Sequence, residues 1–213
     1  TIYTVPMVDP DGVDLVTGAI QAGTLQYGAA QRLSDNYPLI PFPEGWKANL
    51  LGVDLNLQYP AGWLRAREIK FSQGYTRPGP RDYVGRAPLN QRESIALADF
   101  TQEIDPALVL AYHTQGKVIY WQFQDYEVPG ARELGEEFAR LSGYELSDTP
   151  YESSFAGYKD WFIQKFRRPG YTIEAGSGQN PLPIEQFPEI YRDNLGILVT
   201  AAFIFRRYSF ADR

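Results

Sequence analysis

The chain has 213 residues, 44% hydrophobic and 22% charged, the composition of an ordinary globular protein and enough for one domain with a sizeable core. Its net charge of −6 argues against a nucleic-acid partner, because phosphate binding needs a basic surface. No apolar run approaches membrane-spanning length and no signal peptide is visible, while the absence of cysteine removes disulfides, thiol nucleophiles and cysteine metal sites.

No low-complexity linker, long charge run or repeat divides the chain, so residues 1–213 read as one domain. Thr1 opens, with no initiator Met, on the alternating apolar run Ile2, Val5, Met7, Val8. That reads as a strand over residues 2–8 that is internal to something longer, with an N-terminal part missing. Asp9-Pro10-Asp11-Gly12 is turn chemistry that ends it, and a short helix is expected around Val13 to Val16. Residues 18–44 are rich in Gly, Pro and Asn and predict loop with one short helix. Within 46–56, Gly52-Val53-Asp54-Leu55 reads as a short buried strand. The stretch from Pro60 to Pro88 carries four prolines and four glycines and predicts a long irregular segment, the kind that forms one wall of a cleft.

Asn90 with Glu93 resembles a capping box opening a helix over 92–104, which Pro106 ends. The apolar run Leu108 to Ala111 then leads straight into His113, the only histidine in the chain, followed by the polar tail Thr114-Gln115-Gly116. Residues 117–123 (KVIYWQF) are a second β-rich run. Residues 130–142 form an amphipathic helix with Leu134, Phe138 and Leu141 on one face and Gly143 as its C-terminal cap. Residues 155–166 predict helix, 171–174 a strand, and 184–205 a helix with Phe187, Ile190, Tyr191, Leu198, Ala201 and Phe205 on one face. Strands alternating with helices indicate an α/β protein, a mixed central sheet flanked by helices.

Three strand ends carry chemistry. His113 ends one, either as a metal ligand or base, or merely as the residue that terminates the strand. Glu174 ends another, before Ala175-Gly176, either as a base with a tuned pKa or as the partner of Arg167 or Arg168 in a surface salt bridge. Asp54 and Asn56 end the third, where Asp54 could equally be a turn former. Ligands in open α/β sheets bind beyond the carboxyl ends of strands, and these groups would converge there if the strands are neighbours. The serines lack a nucleophile-elbow context, and Gly176-Ser177-Gly178 does not precede a helix as a phosphate loop would.

The ordered blocks PMVDPDG (6–12), GWKANLLGVDLN (45–56), LAYHTQG (110–116), AGYKDWF (156–162) and PGYTIEAGSG (169–178) resemble zinc carboxypeptidases of the carboxypeptidase A type. The resemblance runs over essentially the whole chain and is nearest to bacterial γ-D-glutamyl-L-diamino acid (meso-diaminopimelate) endopeptidases. It implies a zinc-dependent peptidase that cuts an amide bond in peptidoglycan stem peptides. By that resemblance His113 matches the third zinc ligand, and Glu174 the general base that takes a proton from zinc-activated water. Asp54 matches the carboxylate that orients another zinc-binding histidine. Lys47 falls where an arginine stabilises the oxyanion, and Asn56 matches an asparagine that binds the substrate carboxylate.

The departures are informative. Leu57 stands where the family's carboxylate-binding arginine would follow Asn56, which favours an endopeptidase-like substrate over a free C-terminus. Leu57 and Gln58 join Asn56 and Tyr158 as expected substrate-binding positions. The catalytic tyrosine has no clean match: Tyr151 is nearest, one position out of register, and Tyr158 is the second choice. The first two zinc ligands, a His-x-x-Glu motif, are expected upstream of PMVDPDG, on a missing segment or a separate chain. The competing class is a peptide-binding pseudo-enzyme or an inactive fragment. The expected partner is a cell-wall muropeptide, and nothing in the chain decides between the cytoplasm and the wall.

Overall fold

The structure is a computed structural model that describes residues 1–203; Phe205 of the predicted last helix lies outside the described residues. By contacts the chain forms two compact units, one of Thr1–Thr4, Asp105–Ser154 and the segment from Lys159 onward, the other of Val5–Ile104 and Phe155–Tyr158.

The strand expected over residues 2–8 does not form: the stretch is irregular, and Ile2, Val5, Met7 and Val8 are exposed. β-propensity acts only where a strand finds a partner. The turn residues that follow open a helix instead of only ending a strand. Asp9 caps α1 (Pro10–Thr17), its Oδ1 accepting from the Gly12 N–H at 3.2 Å, with Pro10 at the first position and Gly18 closing in the left-handed region. The short helix expected between 18 and 44 is α2 (Leu25–Ser34), capped by the Thr24 hydroxyl.

Gly52 to Leu55 is not a strand. Asn49 Oδ1 accepts from the N–H groups of both Leu51 (3.2 Å) and Val53 (3.1 Å), which closes a tight turn. Gly52 sits in it at φ 73, with the backbone of Gly79 only 2.7 Å from where its Cβ would be. A 3₁₀ turn at Leu55–Leu57 follows. The proline-rich stretch contains α3 (Trp63–Ser72), which buries Trp63, Ala66 and Ile69, so the wholly irregular segment expected over 60–88 is corrected. The helix α4 (Arg92–Ile104) forms with the expected bounds. Its Glu93 carboxylate accepts from Asn49 Nδ2, and the Asn90 side-chain oxygen accepts from Gln91 Nε2.

The first unit is built on a four-stranded sheet in the order β1-β4-β2-β3, formed by β1 (Val109–His113), β2 (Val118–Tyr120), β3 (Glu145–Ser147) and β4 (Gly170–Glu174). β1 runs parallel to β4, β2 antiparallel to β4, and β2 parallel to β3, the mixed sheet the sequence predicts. The helices are α5 (Ala131–Ser142), α6 (Tyr158–Phe166) and α7 (Phe187–Phe203). One sheet face presents Ile119, Tyr171 and Ile173, all fully buried, to Leu134 and Phe138 of α5 and Ile197 of α7. Burying each such side chain contributes roughly 2 kcal/mol. The Tyr171 hydroxyl is satisfied by the Ala131 carbonyl at 2.6 Å.

Candidate active site

In a parallel pair, residues in register point to the same face. β1 and β4 pair His113 with Glu174, Ala111 with Thr172 and Val109 with Gly170. The alternate residues Tyr171 and Ile173 face the core, so His113 and Glu174 share the opposite face, side by side at the carboxyl ends of adjacent strands. Both are half-buried. β2 adds Val118 opposite Glu174 and Tyr120 opposite Thr172. The Tyr120 phenol is pushed above its ordinary pKa, by burial first and then by the negative charges of Glu174 and Glu145. Arg168 is engaged by Asp105 at 2.7 Å, and the Arg167 guanidinium lies 4.1 Å from the centre of the Tyr126 ring. Neither arginine is thus shown in the salt bridge weighed for Glu174. The Thr114–Gln115 peptide after His113 is cis.

The same unit holds a polar recess of about 220 Å³ lined by Gln122, Gln124, Asp125, Thr149, Tyr151 and Ser154. Tyr151 begins a single 3₁₀ turn and is 57% exposed. Beside Gln122 and Thr149, the buried Lys159 ammonium is held by Asp160 at 2.7 Å, by the Gln122 carbonyl and by the Thr149 hydroxyl.

In the other unit, Asp54 is 1% exposed and its carboxylate is saturated. Lys47 Nζ reaches both oxygens at 2.9 and 2.7 Å, and the N–H groups of Asn56 and Asp82 donate at 3.2 and 3.1 Å. Lys47 is thereby aimed by Asp54, with 41% of its side chain in contact with solvent. Asp82 sits at φ 66. Burial raises its pKa, but the Lys70 ion pair, the Lys47 charge and Arg81 outweigh it and hold the carboxyl below its usual value. Asn56 Oδ1 accepts from the Tyr158 N–H at 3.2 Å. Tyr158 exchanges a hydroxyl hydrogen bond with Thr101 at 2.9 Å and meets the Tyr59 ring edge-on. Leu57 is buried. Gln58 is fully buried: its Nε2 donates to the Val84 and Ala87 carbonyls and its Oε1 accepts from the Asn90 N–H.

A catalytic zinc normally draws three protein ligands. Among the described residues no three His, Cys, Asp or Glu side chains cluster to hold a metal, and His113 is the single histidine. The residues present supply one imidazole with a carboxylate beside it. They do not by themselves make a complete zinc site.

The fold and this strand-end pair define an α/β protein with an imidazole and a carboxylate at the carboxyl edge of a mixed sheet. The chain belongs to the zinc carboxypeptidase family, whose sequence model matches residues 1–196. It is 49% identical over 209 residues to γ-D-glutamyl-L-diamino acid endopeptidase 1 of Lysinibacillus sphaericus, covering 96% of this chain and 49% of that protein. It is 42% identical over 203 residues to the uncharacterized protein YqgT of Bacillus subtilis, covering 95% and 52% respectively. The chain thus spans about half the length of these relatives. Carboxypeptidase A from Helicoverpa armigera superposes with a TM-score of 0.59 at 17% identity, over 93% of this chain and 49% of that one, a likeness of fold.

Tyr120 and Lys159 were not singled out by sequence. The alternation in KVIYWQF shows that Val118 and Tyr120 share a face, but which neighbour they oppose depends on sheet register. Lys159 lies inside a block that carries the family resemblance, and its burial has no local signal.

Proposed function

We propose that this chain is the part of a peptidase that carries the general base and one metal ligand, acting on the γ-D-glutamyl–diamino acid amide of peptidoglycan stem peptides. The observation that supports it is the register pairing of His113 with Glu174, together with the 49% identity to an endopeptidase of that name. In this reading Glu174 takes a proton from the attacking water and passes it to the leaving amine as the C–N bond breaks. Lys47, held in place by Asp54, supplies positive charge for the oxygen that becomes anionic. By the family resemblance Asn56, Leu57, Gln58 and Tyr158 are the substrate-binding positions, and Tyr151, at the polar recess, is the catalytic tyrosine.

Two further zinc ligands, from a His-x-x-Glu motif outside the present sequence, complete the site in this reading, with His113 as the third. The test uses the full-length encoded protein. Hydrolysis of L-Ala-γ-D-Glu-meso-diaminopimelate, with zinc near one equivalent by elemental analysis, is expected. A full-length protein that lacks His-x-x-Glu and binds the peptide without cleaving it would instead be a peptide-binding pseudo-enzyme.

A further inference from the structure

The two faces of the four-stranded sheet differ in kind. On one, Ile119, Tyr171 and Ile173 are sealed against helices α5 and α7. The other meets α6 at the end where β1 and β4 begin. There the position a Gly170 Cβ would take lies 3.3 Å from Phe162 and 3.4 Å from Ile163 of α6. Further along, Ala111, His113, Thr172, Glu174, Val118 and Tyr120 are all half-buried. Four of the six carry a polar head, and in register Ala111, Thr172 and Tyr120 form one row beside the row of His113, Glu174 and Val118.

Tyr120 is fixed on this face by backbone pairing. It opposes Thr172 while Val118 opposes Glu174, so it is the diagonal neighbour of Glu174, about 7–8 Å away between backbones and within reach of an aromatic side chain. The Glu174 charge registers on the phenol, which places the two heads near each other independently of the register. A phenol beside a carboxylate keeps its proton and is a hydrogen-bond donor. Seated on a strand, it is held more firmly than a tyrosine on an exposed turn.

We propose that the Tyr120 hydroxyl is a substrate-positioning group, donating a hydrogen bond to an acceptor oxygen of the bound peptide on the sheet face it shares with His113 and Glu174. This rests on the peptidase reading above. The ligand class is a peptide with a carboxylate or carbonyl oxygen close to the scissile amide, as a γ-glutamyl–diamino acid linkage has on both sides. Tyr120 acts by holding this oxygen. Proton transfer stays with Glu174.

The experiment compares the full-length protein with its Tyr120→Phe variant, which deletes one oxygen and keeps the ring. With L-Ala-γ-D-Glu-meso-diaminopimelate as probe, KM is expected to rise about tenfold, as loss of one buried hydrogen bond implies, with kcat within about twofold. In a Glu174→Gln background the Kd for the same peptide rises by the same factor, and the melting temperature is unchanged. Tyr120→Phe kinetics equal to wild type, or a fall in melting temperature with unchanged kinetics, overturns the proposal alone. A fall in kcat at constant KM overturns it too. If the wild-type protein neither binds nor cleaves the probe, the peptidase reading fails first and carries this assignment down with it.

Discussion

His113 and Glu174 are Cα register partners at the carboxyl ends of two adjacent parallel strands, 61 positions apart in the numbering and side by side on one face of the sheet. Position alone therefore separates their roles from those of the core residues between them. Glu174→Gln keeps the size and hydrogen-bonding shape of the side chain but removes its basicity. In the full-length protein it is expected to lower kcat by at least about a thousandfold, with zinc content and melting temperature unchanged. Elemental analysis beside a hydrolysis assay checks it, and retained turnover would refute the base assignment.

Asp54 is a buried carboxylate whose ion-pair partner is Lys47, at 2.7 Å. Lys47→Met leaves that carboxylate with only its backbone donors. Partial exposure of Lys47 lets water relieve part of the loss, so a destabilisation of about 2 kcal/mol is expected, below the range for a fully buried pair. Lys47→Arg should recover most of it. Urea denaturation of the three proteins measures the difference, and equal midpoints for Met and wild type would show that the pair contributes nothing.

Gln58 joins three backbone groups of one loop segment, the Val84 and Ala87 carbonyls and the Asn90 N–H. Gln58→Leu removes the amide and leaves those groups without that partner, at a cost of about 2–3 kcal/mol. The signature is a lowered urea midpoint with an unchanged slope. If the peptide KM rises while the midpoint holds, the side chain contacts substrate after all.

Asp9 is held with its pKa raised to about 7, by burial first and then by the charges of Glu93, Asp11 and Asp54, against the lowering effect of the Gly12 N–H. Its folded pKa lies above the unfolded one, so protons bind the folded state more tightly. The stability this contributes is complete below about pH 4 and is lost as pH rises through 7. Asp9→Asn keeps an acceptor for the helix cap and cannot ionise. Its melting temperature should match wild type near pH 4 and exceed it at pH 8. A constant offset across that range would remove Asp9 as the cause.

Much of the architecture was legible because local rules and tertiary packing agree. α4 carries its own start and stop signals and forms with the expected bounds, Gly143 caps α5, and the apolar run into His113 is a strand. The misses fall where a local pattern lacked its tertiary counterpart. Residues 2–8 alternate as a strand should but pair with no strand among the described residues. α3 escaped notice because its buried Trp63, Ala66 and Ile69 are spaced through a mostly polar segment framed by prolines and glycines. β3 is three residues long, too short for any periodicity. Of the candidate site, the residue types at the strand ends were visible. The partners were not: sequence cannot set the register that brings Tyr120 next to Glu174, nor show that Lys47 is gripped by Asp54.

That register has a consequence for robustness. Strand side chains alternate with a period of two, so a one-residue slip of β4 would turn Glu174 and Thr172 toward α5 and α7 and expel Ile173 and Tyr171. The slipped form would bury a carboxylate in a hydrocarbon interior and lose two large core side chains at once, a penalty well above the few kcal/mol by which a domain is stable. Alignment of the reactive groups and integrity of the core are thus a single variable. A misaligned site cannot persist as a folded but inactive species; selection for a folded core already enforces the spacing that the chemistry needs.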